Sequence, residues 1–220
     1  MKNPAQHEVW VLTDRNIPLL SMDIEFEAGK MAFDSHWHRE IEIIYFTEGS
    51  MQVICEDKVY TPQAGDIIFV NPSELHSGRT IDQGVKYHCF IIEPTFFMSL
   101  HLDTCDKQII NIANSREKID NLIHDENIRQ LLDRILAERD TQRESYNLFI
   151  KGYLTLLMSE ACRSYKSSEQ KAVEKDDTIS KILHYINENY ARKLTSRDVY
   201  KRQRSYSAAQ WRLPWKIPRK

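Results

Sequence analysis

Five short runs rich in β-branched and aromatic residues, HWHREIEIIYF, SMQVIC, KVYT, DIIFV and VKYHCFII, crowd residues 24–92, with the turn-formers EGS, ED, PQAG and NPSELHSG between them. Strands this short cannot bury an apolar face alone, so they must pair into a sheet that folds over on itself. The spacing predicts a small antiparallel barrel or sandwich.

After Pro94 the period of the apolar residues changes from two to 3.6. Ile128, Leu131, Leu132, Ile135 and Leu136 form one helical stripe, and Tyr146, Phe149, Ile150, Tyr153, Leu157, Ala161 and Tyr165 form a second. These helices are expected to pack on each other, on the barrel or on a second subunit. Residues 166–177, KSSEQKAVEKDD, have almost nothing to bury and read as a domain linker. Beyond it, Asp177 or Thr178 can cap a helix carrying Ile179, Ile182, Leu183 and Ile186, and Thr195 with Asp198 resembles a capping box that opens another. That second pattern is never completed. From Tyr200 onward two prolines and the loss of period predict disorder.

A chain of 220 residues accommodates one full domain and a smaller appendage. Cys55, Cys89, Cys105 and Cys162 are widely spaced and form no CxxC pair, which excludes a zinc knuckle or disulfide framework and suits a reducing, cytoplasmic location. The N-terminal MKNPAQHEVW has no apolar leader core, and no run is long enough to span a bilayer, so no membrane role is expected. Residues 201–220 hold seven Lys/Arg and no acid, while the whole chain carries a net charge of -2. The body is therefore strongly acidic, and contact with nucleic acid requires a localised element.

Alternate side chains of a strand share a face, so His36, His38, Glu40 and Glu42 are expected to point one way, and Trp37, Arg39, Ile41 and Ile43 the other. Two neutral imidazoles and a carboxylate, joined by His76 from another strand, could hold a divalent transition metal. The same groups equally suit the polar wall of a metal-free pocket. Tyr45, Tyr87, His88 and Trp37 could add stacking against a sugar ring, with simple core packing as their other use.

HWHREIEIIYFTEG resembles the first cupin motif, HxH, three residues, Glu, six residues, Gly, through His36, His38, Glu42 and Gly49. The second motif is only approximated by GDIIFVNPSELH, where Pro72 comes one residue late and Glu74 replaces glycine, though His76 is in place. This variant resembles the sensory domain of AraC-type (AraC/XylS) transcription regulators. TISKILHYINENYARKLTSRDV is similar to the segment that opens that family's helix-turn-helix domain.

The resemblance covers residues 20–200. It implies a mainly β N-terminal cupin, a double-stranded β-helix or jelly-roll barrel, over 1–100. A helical dimerisation region over 101–165, the linker 166–177 and a truncated helix-turn-helix domain over 178–200 follow, with a disordered or artefactual tail over 201–220. The implied function is a ligand-responsive DNA-binding transcription regulator whose cupin senses a small molecule, a sugar among the candidates. His36, His38, Glu42 and His76 would form its ligand wall, with no cofactor required and a divalent transition metal at the same four residues as a second use. The implied partners are the effector, a second copy as homodimer, and DNA in the full-length protein. The recognition helices are expected to be missing here, so no DNA-binding residue is assigned. The alternative, motivated by the intact first motif, is a metal-dependent cupin enzyme, a dioxygenase or isomerase.

Overall fold

Two long strands, bent together at glycines, set the architecture. The computed structural model describes residues 6–8, 10, 18–98 and 104–168. Most of the expected linker, the helix-turn-helix segment 178–200 and the tail 201–220 lie outside the described residues. In chain order come β1 (Gln6–His7), β2 (Leu19–Phe26), β3 (Met31–Trp37), β4 (Ile41–Cys55), β5 (Lys58–Tyr60), β6 (Ile67–Val70) and β7 (His76–Ile92). A 3-10 turn (Pro94–Phe97), α1 (Thr104–Ala113), β8 (Leu122–Ile123), α2 (Glu126–Thr141) and α3 (Tyr146–Ser164) follow.

β4 and β7 run antiparallel along their whole lengths, Ile41 opposite Ile92 at one end and Cys55 opposite His76 at the other. The first half of β4 also pairs with β6, and the second half of β7 with β2. Past the bend, β4 pairs with β5 and the start of β7 pairs with β3. The register shifts between Gly49 and Met51, where both strands turn from one side of the barrel to the other. Gly49 adopts φ +70°, and a side chain there would collide with the carbonyl oxygen of Gly84 on the partner strand. The residues that looked like a turn, EGS, are thus the corner of one continuous strand. The HSG that looked like loop opens β7.

Alternation along β4 separates two cores. Ile44, Phe46, Met51 and Val53 face inward and pack with Ile68, Val70, Val85, Tyr87, Cys89 and Ile91. Ile41, Ile43 and Tyr45 face outward and pack with Phe69 and Phe90 against Ile128, Leu132 and Ile135 of α2 and Leu154, Leu157 and Met158 of α3. Both faces of the first half of β4 are therefore buried, which is why IEIIYF reads as a near-continuous apolar run. The two expected stripes largely match α2 and α3, with one difference. Leu154 and Met158 fill the seam, while Phe149 is 50% exposed.

Asp125 caps α2 by accepting from Asn127 N at 2.8 Å and Ile128 N at 3.1 Å. Polar contacts then help to fix the helix to the barrel. Tyr45 Oη donates to Asp133, and Arg139 grips Asp23 of β2 with two nitrogens at 2.7 and 3.1 Å. The Arg139 guanidinium outweighs the effect of partial burial and lowers the Asp23 pKa. β8 inserts between the helices in sequence but joins the barrel sheet through β6. At the start of the expected linker, Lys166 bridges to Ile119 and Ser167 N donates to Lys118 O.

Candidate functional site

The four candidate residues come together, though not as a row on one strand. β3 ends at Trp37 and β4 begins at Ile41, so the chain breaks its alternation at residues 38–40. His36 is the last residue but one of β3, His38 lies in the link, Glu42 is the second residue of β4 and His76 opens β7. One donor atom from each lies within 4.8 Å of every other. His38, Glu42 and His76 are buried, and His36 is nearly so.

Backbone carbonyls fix the orientation of two of the rings. His76 Nδ1 donates to Glu74 O at 2.9 Å, and His36 Nδ1 to Asp34 O at 2.8 Å. A carbonyl only accepts, so in the neutral rings both Nε2 atoms carry lone pairs. His76 Nε2 points at Glu42 Oε2, 2.9 Å away, yet has no hydrogen-bond partner among the described residues. His38 Nε2 bonds the same carboxylate oxygen at 3.0 Å, while its buried Nδ1 has no hydrogen-bond partner among the described residues and lies 3.6 Å from Glu40 Oε2. The other carboxylate oxygen, Oε1, accepts from the Cys89 thiol at 3.1 Å.

Burial alone would raise the Glu42 pKa, but His38 and His76 outweigh it and hold the carboxyl well below the usual range. For His76, burial works downward and the Glu42 carboxylate upward, with a net rise. His36 is lowered, by burial first and by its His76 neighbour second. Burial, reinforced by Glu42, pushes the Cys89 thiol well up, so it remains a donor. The result is one buried anion in contact with two imidazoles, with a third beside them that faces Glu8, and two of the three rings are oriented by backbone acceptors so that Nε2 is turned toward a carboxylate. Carbonyl-oriented imidazoles of this kind are the usual support of metal-ligating histidines.

Glu74, the residue standing in place of the motif glycine, has a structural reason. Its buried Oε2 accepts from Asn71 N, Asn71 Nδ2 and Asn121 Nδ2 at 2.9, 3.1 and 2.7 Å, and its Oε1 accepts from Lys118 Nζ at 3.0 Å. Asn71 in turn bonds Ile119 N and O. This network straps the 71–75 loop, and with it the carbonyl that orients His76, to the segment leading into α2.

The aromatic candidates separate. Tyr87 lies inside the barrel, whereas Tyr45 joins the outer core and donates to α2. His88 pairs with Asp23 on that same outer side, and Trp37 stacks with His7. The sequence reading gives no role at the site to Cys89, Glu74 or Glu8; Glu74 is noted there only as a departure from the motif glycine, and Cys89 and Glu8 stand outside both motifs.

A bent antiparallel barrel with a His/His/Glu/His cluster inside and helices on its outer face defines a cupin-type sensory architecture. The chain belongs to the AraC-like ligand binding domain family, whose model matches residues 25–158. Among curated proteins it is similar to the HTH-type transcriptional regulator YbfI of Bacillus subtilis, 22% identical over 180 residues, covering 79% of this chain and 62% of the relative. It is also similar to the HTH-type transcriptional regulator YdiP of Escherichia coli, 25% identical over 193 residues, covering 84% and 60%. The chain thus spans about three fifths of the length of these relatives. A cupin 2 conserved barrel domain protein from Rhodopseudomonas palustris is a slighter likeness, 17% identical with a TM-score of 0.34, covering 37% of this chain and 57% of that one. Among the described residues no helix is long and apolar enough to cross a membrane.

Proposed function

We propose that this chain is the sensor portion of a ligand-responsive, DNA-binding transcription regulator, and that its barrel binds a small polar effector against His36, His38, Glu42 and His76. The observation that carries this reading is a cluster of four polar groups inside an otherwise apolar barrel, in a chain of the AraC-like ligand binding family. Trp10 supports it. The indole packs against the inner core, and its buried Nε1 has no hydrogen-bond partner among the described residues. A sugar suits such a wall, because each hydroxyl can donate to the carboxylate and accept from an N–H. The effector would bias the arrangement of two subunits and so of the DNA-reading heads. DNA contact is assigned to the longer protein rather than to this chain, and the location to the cytoplasm. The names of the relatives favour a regulator over the dioxygenase or isomerase alternative.

A thermal-shift screen of monosaccharides tests the reading. Saturation at a hundred times Kd adds about 2.7 kcal/mol, enough to raise Tm by several degrees. At least one sugar is expected to do this for the parent chain and not for His76→Ala. A screen in which no shift depends on His76 would remove the assignment of these residues to the effector.

The helices supply the proposed dimer contact. Leu148, Phe149 and Leu156 of α3 are 71, 50 and 57% exposed, an apolar face left over after the helix has packed on the barrel. A second copy of the same face is the proposed occupant. Light scattering after size exclusion is expected to give a dimer mass for the parent chain and a monomer for Phe149→Glu with Leu156→Glu. A parent chain that elutes as a monomer at high concentration argues against this contact.

A second use of the same site is favoured by the two lone-pair nitrogens that face carboxylates. A ring nitrogen and a carboxylate oxygen 2.9 Å apart need a shared cation between them, either a proton on the ring or a metal ion. His36, His38, Glu42 and His76 would hold a divalent transition ion, an N3O donor set suited to one. Such an ion would act as a Lewis acid toward an effector oxygen.

A further inference from the structure

The N-terminal strand brings an acid to the site that neither the motif nor the four-residue cluster contains. β1 pairs in parallel with the end of β3, Gln6 opposite His36 and His7 opposite Trp37. Glu8 N donates to Trp37 O at 3.0 Å, and the His7 and Trp37 rings stack with centroids 4.2 Å apart. These contacts fix Glu8 beside the site, with its Oε2 2.9 Å from His36 Nε2. The Asp34 carbonyl takes the Nδ1 proton of that ring, so Nε2, the nitrogen available to an ion, is the one facing Glu8.

Three donor pairs have the same spacing: His38 Nε2 to Glu42 Oε2 at 3.0 Å, His76 Nε2 to Glu42 Oε2 at 2.9 Å, and His36 Nε2 to Glu8 Oε2 at 2.9 Å. Neighbouring donors bonded at about 2.1 Å to one small divalent ion, at right angles, lie about 3 Å apart. Charge points the same way. Three neutral imidazoles and Glu42 leave a divalent ion with one uncompensated positive charge in a buried site, and a second carboxylate removes it.

We propose that Glu8 is a further carboxylate ligand of the divalent-ion site, so that the ion ties the N-terminal strand to the barrel. The inference rests on the metal-binding use of the site proposed above. Glu8 is not one of the four residues whose donors mutually lie within 4.8 Å, so it must swing inward when the ion binds. Its side chain is 42% exposed and sits just past a two-residue edge strand, where such a movement meets little resistance.

Titration of the chain with Co2+ tests this, read by calorimetry, by the visible spectrum and by amide exchange over residues 6–10. The parent chain is expected to bind Co2+ and to slow exchange in that segment. Glu8→Gln is expected to bind about tenfold more weakly, to show stronger visible bands as coordination number falls, and to lose the protection, with its ion-free melting unchanged. Glu8→Asp should fall between. Equal affinity and equal protection in Glu8→Gln would overturn the role of Glu8 and leave the four-residue ion site standing. Tighter binding would also overturn it, because Glu8 would then be a competitor of the ion. Absence of Co2+ binding by the parent chain, indistinguishable from His38→Ala, would remove the ion site and this inference together.

Discussion

Glu74→Ala is expected to destabilise the fold by about 3–5 kcal/mol, the cost of stripping the acceptor from buried, paired donors. The residue is 3% exposed, and its carboxylate receives Asn71 N, Asn71 Nδ2, Asn121 Nδ2 and Lys118 Nζ. Asn71 and Asn121 keep their bonds to Ile119 O and Phe69 O and Lys118 keeps Glu56 at 3.8 Å, but the hydrogens aimed at Glu74 lose their acceptor, and water reaches a site this buried only if the loop opens. Glu74→Gln should recover part of the loss, since one amide oxygen can still accept while its NH2 meets another donor. Urea denaturation measures both, and a loss below about 1 kcal/mol for the alanine variant would mean that the network is not what holds the loop. The same variant should weaken binding at the site, because the carbonyl orienting His76 belongs to Glu74 itself. Loosening a group that orients a ligating imidazole typically costs about tenfold or more in metal affinity. Loop and site are thus one mechanical unit, and the strap to residues 118–121 places the entry to α2 in the same unit.

The sequence made the site legible for a local reason and hid its support for a non-local one. His36, His38 and Glu42 lie within seven residues, and a fixed spacing of ligand-type residues near a strand survives even when the strand itself breaks at 38–40. Which way each ring points could not be read, because that depends on the carbonyls of Asp34 and Glu74. The acid at position 74 looked like a defect in the motif. Its partners, Lys118 and Asn121, stand more than forty residues away in a segment read as purely helical. β8 was missed in that segment because two residues carry no period; only β6 beside them makes them a strand. β4 reads as two short strands because Gly49 bears the mark of a turn, and a bent continuous strand needs glycine there for the close approach to the Gly84 backbone. Burial on both faces of β4 had left a trace, the near-continuous apolar run IEIIYF, but alternation alone could not say that helices covered the outer face.

Glu42→Gln should separate the two proposed uses of the site. Oε2 of this carboxylate contacts His38 Nε2 and His76 Nε2, and Oε1 accepts from Cys89. Glutamine keeps the shape, and its oxygen can still accept from Cys89. Its NH2, in place of Oε2, can donate to the His76 lone pair, an atom with no hydrogen-bond partner in the ion-free state, and to His38 Nε2 once that ring carries its proton on Nδ1. Ion-free melting should therefore be unchanged or higher, as is common where a polar site is relieved of a functional strain. Co2+ affinity should fall at least a hundredfold, about 2.7 kcal/mol, since the only carboxylate among the four ligands is gone. An affinity within threefold of the parent would exclude Glu42 as a ligand. The thermal shift produced by a sugar discriminates further. If it survives in Glu42→Gln while Co2+ binding is lost, the effector rests on the histidines and hydrogen bonding, and the ion is dispensable to sensing. If both are lost together at an ion-free stability equal to the parent's, the effector binds through the ion. The carboxylate of Glu42 then decides whether this barrel responds to its ligand at all.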